Sequence, residues 1–295
     1  MVHSCKKQIL IPYLFLFPQL LLLGAFSIYP FLYNLYLSFH EVGITEILNG
    51  SGSFDGFGQY AKLMHDEIFW ISLKNTFVYT IGALPVTVIG SLASAMALNN
   101  KIVGKKILRV AYLFPYLTSW VVVGLLWQWM YSNNYGIFNK ILNCFGLPGL
   151  GWLQDSFLVI PSIIVTSAWH NLGYYMVIFM AGLLSIPNEF YEASMIDGAN
   201  KWQRFRLITL PLLKPIMFMV LVLATINSFK IFDQIYVMTG GGPGSASLMM
   251  VNLIFSSAIN EMKSSYAAAM SIVLFLIIVI FVIVQRRIFR SSDEL

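Results

Sequence analysis

The sequence predicts an all-α integral membrane protein with six transmembrane helices. Three observations predict it: composition, the spacing of long uncharged stretches, and the placement of basic residues around them. Of 295 residues, 58% are hydrophobic and only 11% charged, with a mean hydropathy of +0.75. Soluble chains average about 45–50% apolar and about 25% charged residues, so this chain has more apolar surface than a globular domain could bury. An ordinary cytosolic enzyme and a disordered protein are excluded. Two cysteines, Cys5 and Cys144, are too few for a disulfide framework and too scattered for a metal site.

A helix needs about 20 apolar residues to cross the bilayer. Stretches free of Asp, Glu, Lys and Arg cover 8–40, 75–100, 110–139, 156–188 and 264–285. They place spans at about 9–36, 71–98, 107–131, 157–185 and 265–285. The first stretch is longer than the core of a cleaved signal and no small-residue cleavage site follows it, so it reads as a retained span; Pro12, Pro18 and Pro30 suggest kinks or a late helix start. A Gly-rich loop at 40–70 follows, with Gly50, Gly52, Gly56 and Gly58, and it reads as a flexible surface segment. The connector at 99–108 is tight. Residues 132–155 and 233–263 form two further loops. The run 215–229 has only 15 uncharged residues, roughly 22 Å of helix against a hydrocarbon core of about 30 Å. Starting that span near Leu207, at 207–229, lets Lys214 snorkel to the headgroups.

The basic residues orient the chain. With the N-terminus inside, 13 Lys and Arg fall on inner segments (Lys6, Lys7, Lys101, Lys105, Lys106, Arg109, Lys201, Arg204, Arg206, Lys214, Arg286, Arg287, Arg290) and 5 on outer ones (Lys62, Lys74, Lys140, Lys230, Lys263). This bias predicts both termini in the cytoplasm. It also removes the nucleic-acid reading of the net charge of +5, because the charge sits at membrane edges.

The inner segment 186–211 differs from the other loops. It reads IPNEFYEASMIDGANKWQRFRLITLP. Glu189, Glu192 and Asp197 precede Lys201, Arg204 and Arg206, the order a helix dipole favours, and Pro187 stands before the first turn. Small residues Ala193, Ser194, Gly198 and Ala199 leave room for another surface or for a bend between short helices. Tyr191, Met195, Trp202 and Phe205 supply apolar anchors. From these features alone, a loop lying on the headgroups and a protein-docking element are equally open.

Glu192-Ala193-Ser194, Asp197-Gly198-Ala199 and Ile208-Thr209-Leu210-Pro211 together resemble the EAA motif of permease subunits of binding-protein-dependent ABC importers, with Ser194 where alanine is usual. A second stretch, FDQIYVMTGGGPGSAS at 232–247, resembles the outer loop of sugar permeases of the maltose, glycerol-phosphate and multiple-sugar type, on the side of the maltose-F-like partner. The resemblance implies a type I importer permease (MetI-like) fold forming one transmembrane domain over 1–295, located in the bacterial plasma membrane. It implies that Glu192, Ala193, Ser194, Asp197, Gly198 and Ala199 couple to an ATPase. It further implies a second, maltose-G-like permease, a dimer of ABC ATPase subunits and an extracytoplasmic sugar-binding protein as partners, within membrane lipid and without nucleic acid.

The chain lacks a G-x-x-x-x-G-K-[ST] phosphate loop; Gly104-Lys105-Lys106 has neither the upstream glycine nor the hydroxyl. ATP hydrolysis is therefore expected of a separate subunit, with no catalytic residue, cofactor or metal here. No carboxylate lies mid-span, which disfavours an ion-coupled secondary transporter. A phosphate-bearing solute such as a glycerol phosphodiester calls for a basic group in the path, and His170 is the one ionisable group deep in a span. No nucleophile motif accompanies it, which disfavours an intramembrane protease. His170, Asn171 and Tyr174 form a polar cluster near the middle of the fourth span. Interhelical hydrogen bonding and a wall for a sugar both explain such a cluster. The resemblance places a substrate path on the fourth and fifth spans, and thereby on His170, Asn171, Tyr174, Ala224, Asn227, Ser228 and Ile231.

Overall fold

A computed structural model describes residues 15–42, 52–99 and 103–290. Pro12, Lys6, Lys7, Lys101 and the start of the first expected span lie outside the described residues. The contact pattern divides the chain into two units, one running up to His65 and including Ile254–Val273, the other comprising Asp66–Leu253 and the chain from Leu274 onward.

In the first unit, α1 (Phe15–Ser38) carries apolar side chains around its whole circumference and buries none of them in its most apolar stretch. A helix that is apolar all round and unburied needs lipid. The loop after it is not wholly irregular, nor is the fold entirely helical. His40–Glu41 (β1) pairs antiparallel with Ser53–Phe54 (β2), His40 opposite Phe54. Tyr60, in α2 (Gly58–Met64), donates its hydroxyl proton to Ser38 Oγ at 2.8 Å. The Val42 N–H reaches Ser265 Oγ at 3.0 Å.

The second unit is built on α3 (Glu67–Asn99) and α7 (Val159–Ser185), which pack along each other. Ala95, Leu98, Tyr175, Met176, Phe179 and Leu183 are buried together in the core they share, joined by Leu213, Val220 and Ala224. Polar side chains fasten neighbouring elements where lipid would offer no partner. Ser91 Oγ donates to the Leu172 carbonyl at 3.0 Å, and Asn75 Nδ2 to the Ser245 carbonyl at 2.8 Å. Small residues set the closest approaches: a Cβ on Gly173 would lie 1.9 Å from the Tyr112 carbonyl oxygen.

Among the described residues, four helices are long and apolar enough to cross a membrane unbroken: α1, α3, α7 and the last helix, counted from Ser264 to Phe289. The spans expected at 107–131 and 207–229 are bent. Helix α4 (Lys105–Leu117) meets α5 (Trp120–Met130) at 98°, and α9 (Lys201–Leu212) meets α10 (Lys214–Phe229) at 69°. The first bend follows from Pro115 and from Ser119, whose side chain caps α5 by accepting from the Val121 N–H at 3.3 Å. The second follows from Pro211 and Pro215 beside a π-helical turn at Phe205–Thr209. The expected loops also hold helices: α6 (Ile137–Cys144), α8 (Asn188–Ile196), α11 (Asp233–Met238) and α12 (Met250–Asn260).

A candidate transport cavity and a rigid exposed loop

A cavity of about 320 Å³ opens in the second unit. Helix α7 presents Ser167, Asn171 and Tyr175 to it, a spacing of four that puts one residue per turn on one face. Helix α3 presents Tyr79, Ala83 and Thr87 at the same spacing. Tyr116 and Trp120 reach it from either side of the α4–α5 bend, and α10 with the residues after it supplies Ala224, Asn227, Ser228 and 230–234.

A hydrogen-bond network ties these walls. Ser167 Oγ lies 2.7 Å from Gln234 Oε1 and 2.7 Å from the Ile163 carbonyl, so one hydroxyl proton is shared between two acceptors. Gln234 Nε2 donates to the Tyr79 hydroxyl at 3.0 Å, and Asn227 Nδ2 to the Tyr175 hydroxyl at 3.1 Å. Each tyrosine oxygen thus accepts and keeps its own proton to offer. The wall combines aromatic faces with amides and hydroxyls, which suits a neutral, hydroxyl-rich solute. Lys230 and Asp233 stand at its rim, both exposed.

Of the path residues expected from sequence, Asn171, Ala224, Asn227, Ser228 and Ile231 line this cavity. His170 and Tyr174 do not. His170 is 2% exposed, stacks on Trp120 with ring centroids 3.7 Å apart, and donates from Nε2 to the Thr118 carbonyl at 3.2 Å. Tyr174 stacks on Tyr116 at 4.5 Å. Both sit on the neighbouring stripe of α7, behind the two rings that form the wall. A spacing of three pairs Asn171 with Tyr174 on that stripe, whereas a spacing of four pairs it with Tyr175 on the cavity face. Tyr79, Thr87, Tyr116, Trp120 and Gln234 were missed, because the elements that carry them meet α7 only in the folded chain.

The second feature is the segment α8–α9. Helix α8 ends in a Schellman motif: the Gly198 N–H donates to the Met195 carbonyl at 3.1 Å, and the Ala199 N–H to the Ser194 carbonyl at 2.9 Å. The motif needs a left-handed residue, and Gly198 has φ +76°. A Cβ there would meet nothing of this chain within 4 Å. Asn200 then starts α9 with a capping box, its Oδ1 accepting from the Gln203 N–H at 2.9 Å while Gln203 Oε1 accepts from the Asn200 N–H at 2.8 Å. Ser194 is 8% exposed and its hydroxyl is satisfied by the Tyr191 carbonyl at 2.8 Å. The Tyr191 hydroxyl in turn lies 3.0 Å from Thr209 Oγ1, pinning α8 to α9. Glu192, Ala193 and Asp197 are exposed, Ala199 is half-buried, and Phe190, Met195, Ile196, Trp202 and Leu207 leave large apolar faces uncovered. A rigid segment with an apolar, partly charged surface is suited to receiving another protein.

Among the described residues, no group of three or more His, Cys, Asp or Glu could hold a metal ion. Apolar helices long enough to span, a polar cavity between helices and a rigid exposed segment define the class: a multi-pass membrane subunit for solute transport. The chain belongs to the family described as the inner membrane component of binding-protein-dependent transport systems, which matches residues 71–293. It is 35% identical over 270 residues to a probable ABC transporter permease protein of Pyrococcus horikoshii, covering 90% of this chain and 91% of that one. It is 32% identical over 278 residues to the trehalose/maltose transport system permease protein MalF of Thermococcus litoralis, covering 94% and 93%. Its fold is similar to a chain of a bacterial alginate ABC transporter crystallised with an alginate pentasaccharide-bound periplasmic protein, with a TM-score of 0.84, 21% identity and coverage of 98% and 97%.

Proposed function

We propose that this chain imports carbohydrate as one of two unlike permeases enclosing a single path, by alternating access. One subunit of an ATPase dimer docks on the α8–α9 segment through Glu192, Ala193, Ser194, Asp197, Gly198 and Ala199, and a loaded sugar-binding protein delivers substrate from the other side. The observation that carries the reading is the cavity wall, where Asn171, Tyr175 and Asn227 offer hydrogen bonds beside the rings of Tyr116 and Trp120. The name of the Thermococcus relative supports a sugar as the solute.

Asn227→Ala tests the wall. Asn227 is exposed and donates to Tyr175, so its loss leaves the packing intact while removing polar contacts. A hydrogen bond is worth about 0.5–1.5 kcal/mol net, so sugar uptake should fall about two- to twelve-fold with unchanged assembly. Normal uptake in Asn227→Ala and in Tyr175→Phe would show that the cavity is not the path.

A second reading has one observation in its favour: Lys230 at the cavity rim supplies the cation a phosphate-bearing solute requires. Asp233, three residues on, offsets that charge and keeps the sugar reading ahead. Competition of labelled sugar uptake by a glycerol phosphodiester separates the two.

The proposed orientation puts both termini in the cytoplasm of a bacterial cell, with spans near 9–36, 71–98, 107–131, 157–185, 207–229 and 265–285. Cysteines replacing Gly56 or Gly242 should react with an impermeant thiol reagent in intact cells, and one replacing Lys201 should not. Labelling at 201 from outside would reverse the orientation.

A further inference from the structure

The glycine-rich loop at 240–244 has no part in the cavity above, yet it is closely held by hydrogen bonds. Gly240, Gly241 and Gly244 all have positive φ. Ser247 Oγ lies 2.7 Å from Thr239 Oγ1 and 2.6 Å from the Gly242 carbonyl, and the Gly241 N–H reaches Thr239 Oγ1 at 3.3 Å. A loop fastened this way is a preformed wall rather than a loose turn. It bounds a second recess, of about 690 Å³, whose opposite side is the end of α5 and the residues following it.

The lining of this recess is chemically specific. Trp129 and Tyr135 are each 54% exposed, with ring centroids 6.4 Å apart. Gln128, Asn133 and Gln154 face the same space, and among the described residues no Asp, Glu, Lys or Arg lines it. Asn133 Nδ2 donates to Gln154 Oε1, which leaves the Asn133 side-chain Oδ1 and the Gln154 amide protons to serve a ligand. Gln128 donates to the Met238 carbonyl at 3.4 Å and keeps its own amide oxygen free for a donor. The volume falls within the range of about 300–1,000 Å³ typical of small-molecule sites. Aromatic anchoring at a membrane surface accounts for Trp129 and Tyr135, but not for three amides turned into one recess against a rigid glycine wall. With neutral amides, hydroxyls and rings as its described lining, the recess suits an uncharged ligand. Exposed rings with surrounding amide donors and acceptors fit the faces and hydroxyls of a neutral saccharide.

We infer that this recess is a second saccharide-binding subsite, separate from the cavity at Asn227 and holding one part of the sugar before or during its passage. The inference rests on the carbohydrate reading above and extends it. The subsite takes one or two neutral sugar rings, stacked on Trp129 or Tyr135 and held by Gln128, Asn133 and Gln154. The loop from Thr239 to Pro243 closes its far side without projecting a long side chain into it.

The test uses the purified full transporter without its binding protein, with Cys5 and Cys144 replaced. Single cysteines are placed at Asn133 or at Ser132 in the recess, and at Asn227 in the cavity. Each is labelled with a thiol reagent in the presence of trehalose, maltose or lactose, and with the uncharged non-sugar solute ethylene glycol as control. At least one sugar should slow labelling at 133 and at 132 threefold or more, ethylene glycol should not, and Trp129→Ala with Gln128→Ala should abolish the protection. Protection at 227 without protection at 133 or 132 would overturn the subsite and leave the sugar reading standing. Protection at neither place would overturn both. In a parallel reaction with the binding protein added, protection at 133 without any sugar would mean that a protein side chain, not a saccharide, occupies the recess, and would overturn the subsite.

Discussion

Gly198→Val should leave the chain inserted and folded while reducing sugar uptake and sugar-stimulated ATP hydrolysis at least tenfold. Gly198 closes helix α8 at φ +76°, a conformation that costs an L-residue about 1–2 kcal/mol, and more when the side chain is β-branched. Valine would therefore open the Schellman motif and turn Asn200, with its capping box, away from α8. The exposed faces of Met195, Ile196 and Trp202 would no longer form one surface for the ATPase. Gly198→Asn separates the two ways glycine can serve here. Asparagine tolerates the left-handed region, and on this chain a Cβ at 198 meets nothing within 4 Å. If conformation is what matters, Gly198→Asn retains most of the coupling. If both variants lose it, the ATPase surface itself must lie against the glycine. Co-purification of the ATPase with each variant measures this directly, and normal stimulated hydrolysis in Gly198→Val would remove the segment from the coupling role.

Gly173→Ala should be the most damaging single methyl group in the second unit. Its Cβ would stand 1.9 Å from the Tyr112 carbonyl oxygen and 2.9 Å from Leu113 Cα. Both are backbone atoms, so no side chain can swing aside. Either α4 moves off α7, or α7 shifts on α3 and breaks the Ser91 bond to the Leu172 carbonyl. Overpacking typically costs about 1–3 kcal/mol, and a backbone obstruction belongs at the upper end. The purified protein should lose several degrees of thermal stability and much of its yield. Gly24→Ala is the control, since nothing lies within 4 Å of a Cβ there, and it should be neutral.

The two sets of expectations fared differently for a physical reason. Long apolar stretches report lipid exposure or burial whatever the tertiary contacts, so α1, α3, α7 and the last helix were legible. The bends were not placed, although Pro115 and Pro211 were in view, because proline in a membrane helix is compatible with a straight, a kinked or a broken span. At the cavity, Asn171, Asn227 and Ser228 line the wall because polar groups in an apolar helix must face protein or water, and Ala224 and Ile231 line it beside them. His170 and Tyr174 obey the same rule by a different route, buried behind Trp120 and Tyr116. Polarity alone cannot tell a wall from its support. The contributions of Tyr79 and Gln234 depend on α3 and the start of α11 meeting α7 far apart in sequence, which no local pattern encodes.

The central claim, a sugar path driven by a separate ATPase, is tested most directly by reconstitution. The chain, its partner permease and the ATPase are placed in proteoliposomes with sugar-loaded binding protein outside and ATP within. Labelled sugar should accumulate only when ATP and loaded binding protein are both present, and Asn227→Ala should slow accumulation without dispersing the complex. Accumulation driven by an imposed proton or sodium gradient in the absence of ATP would contradict that claim.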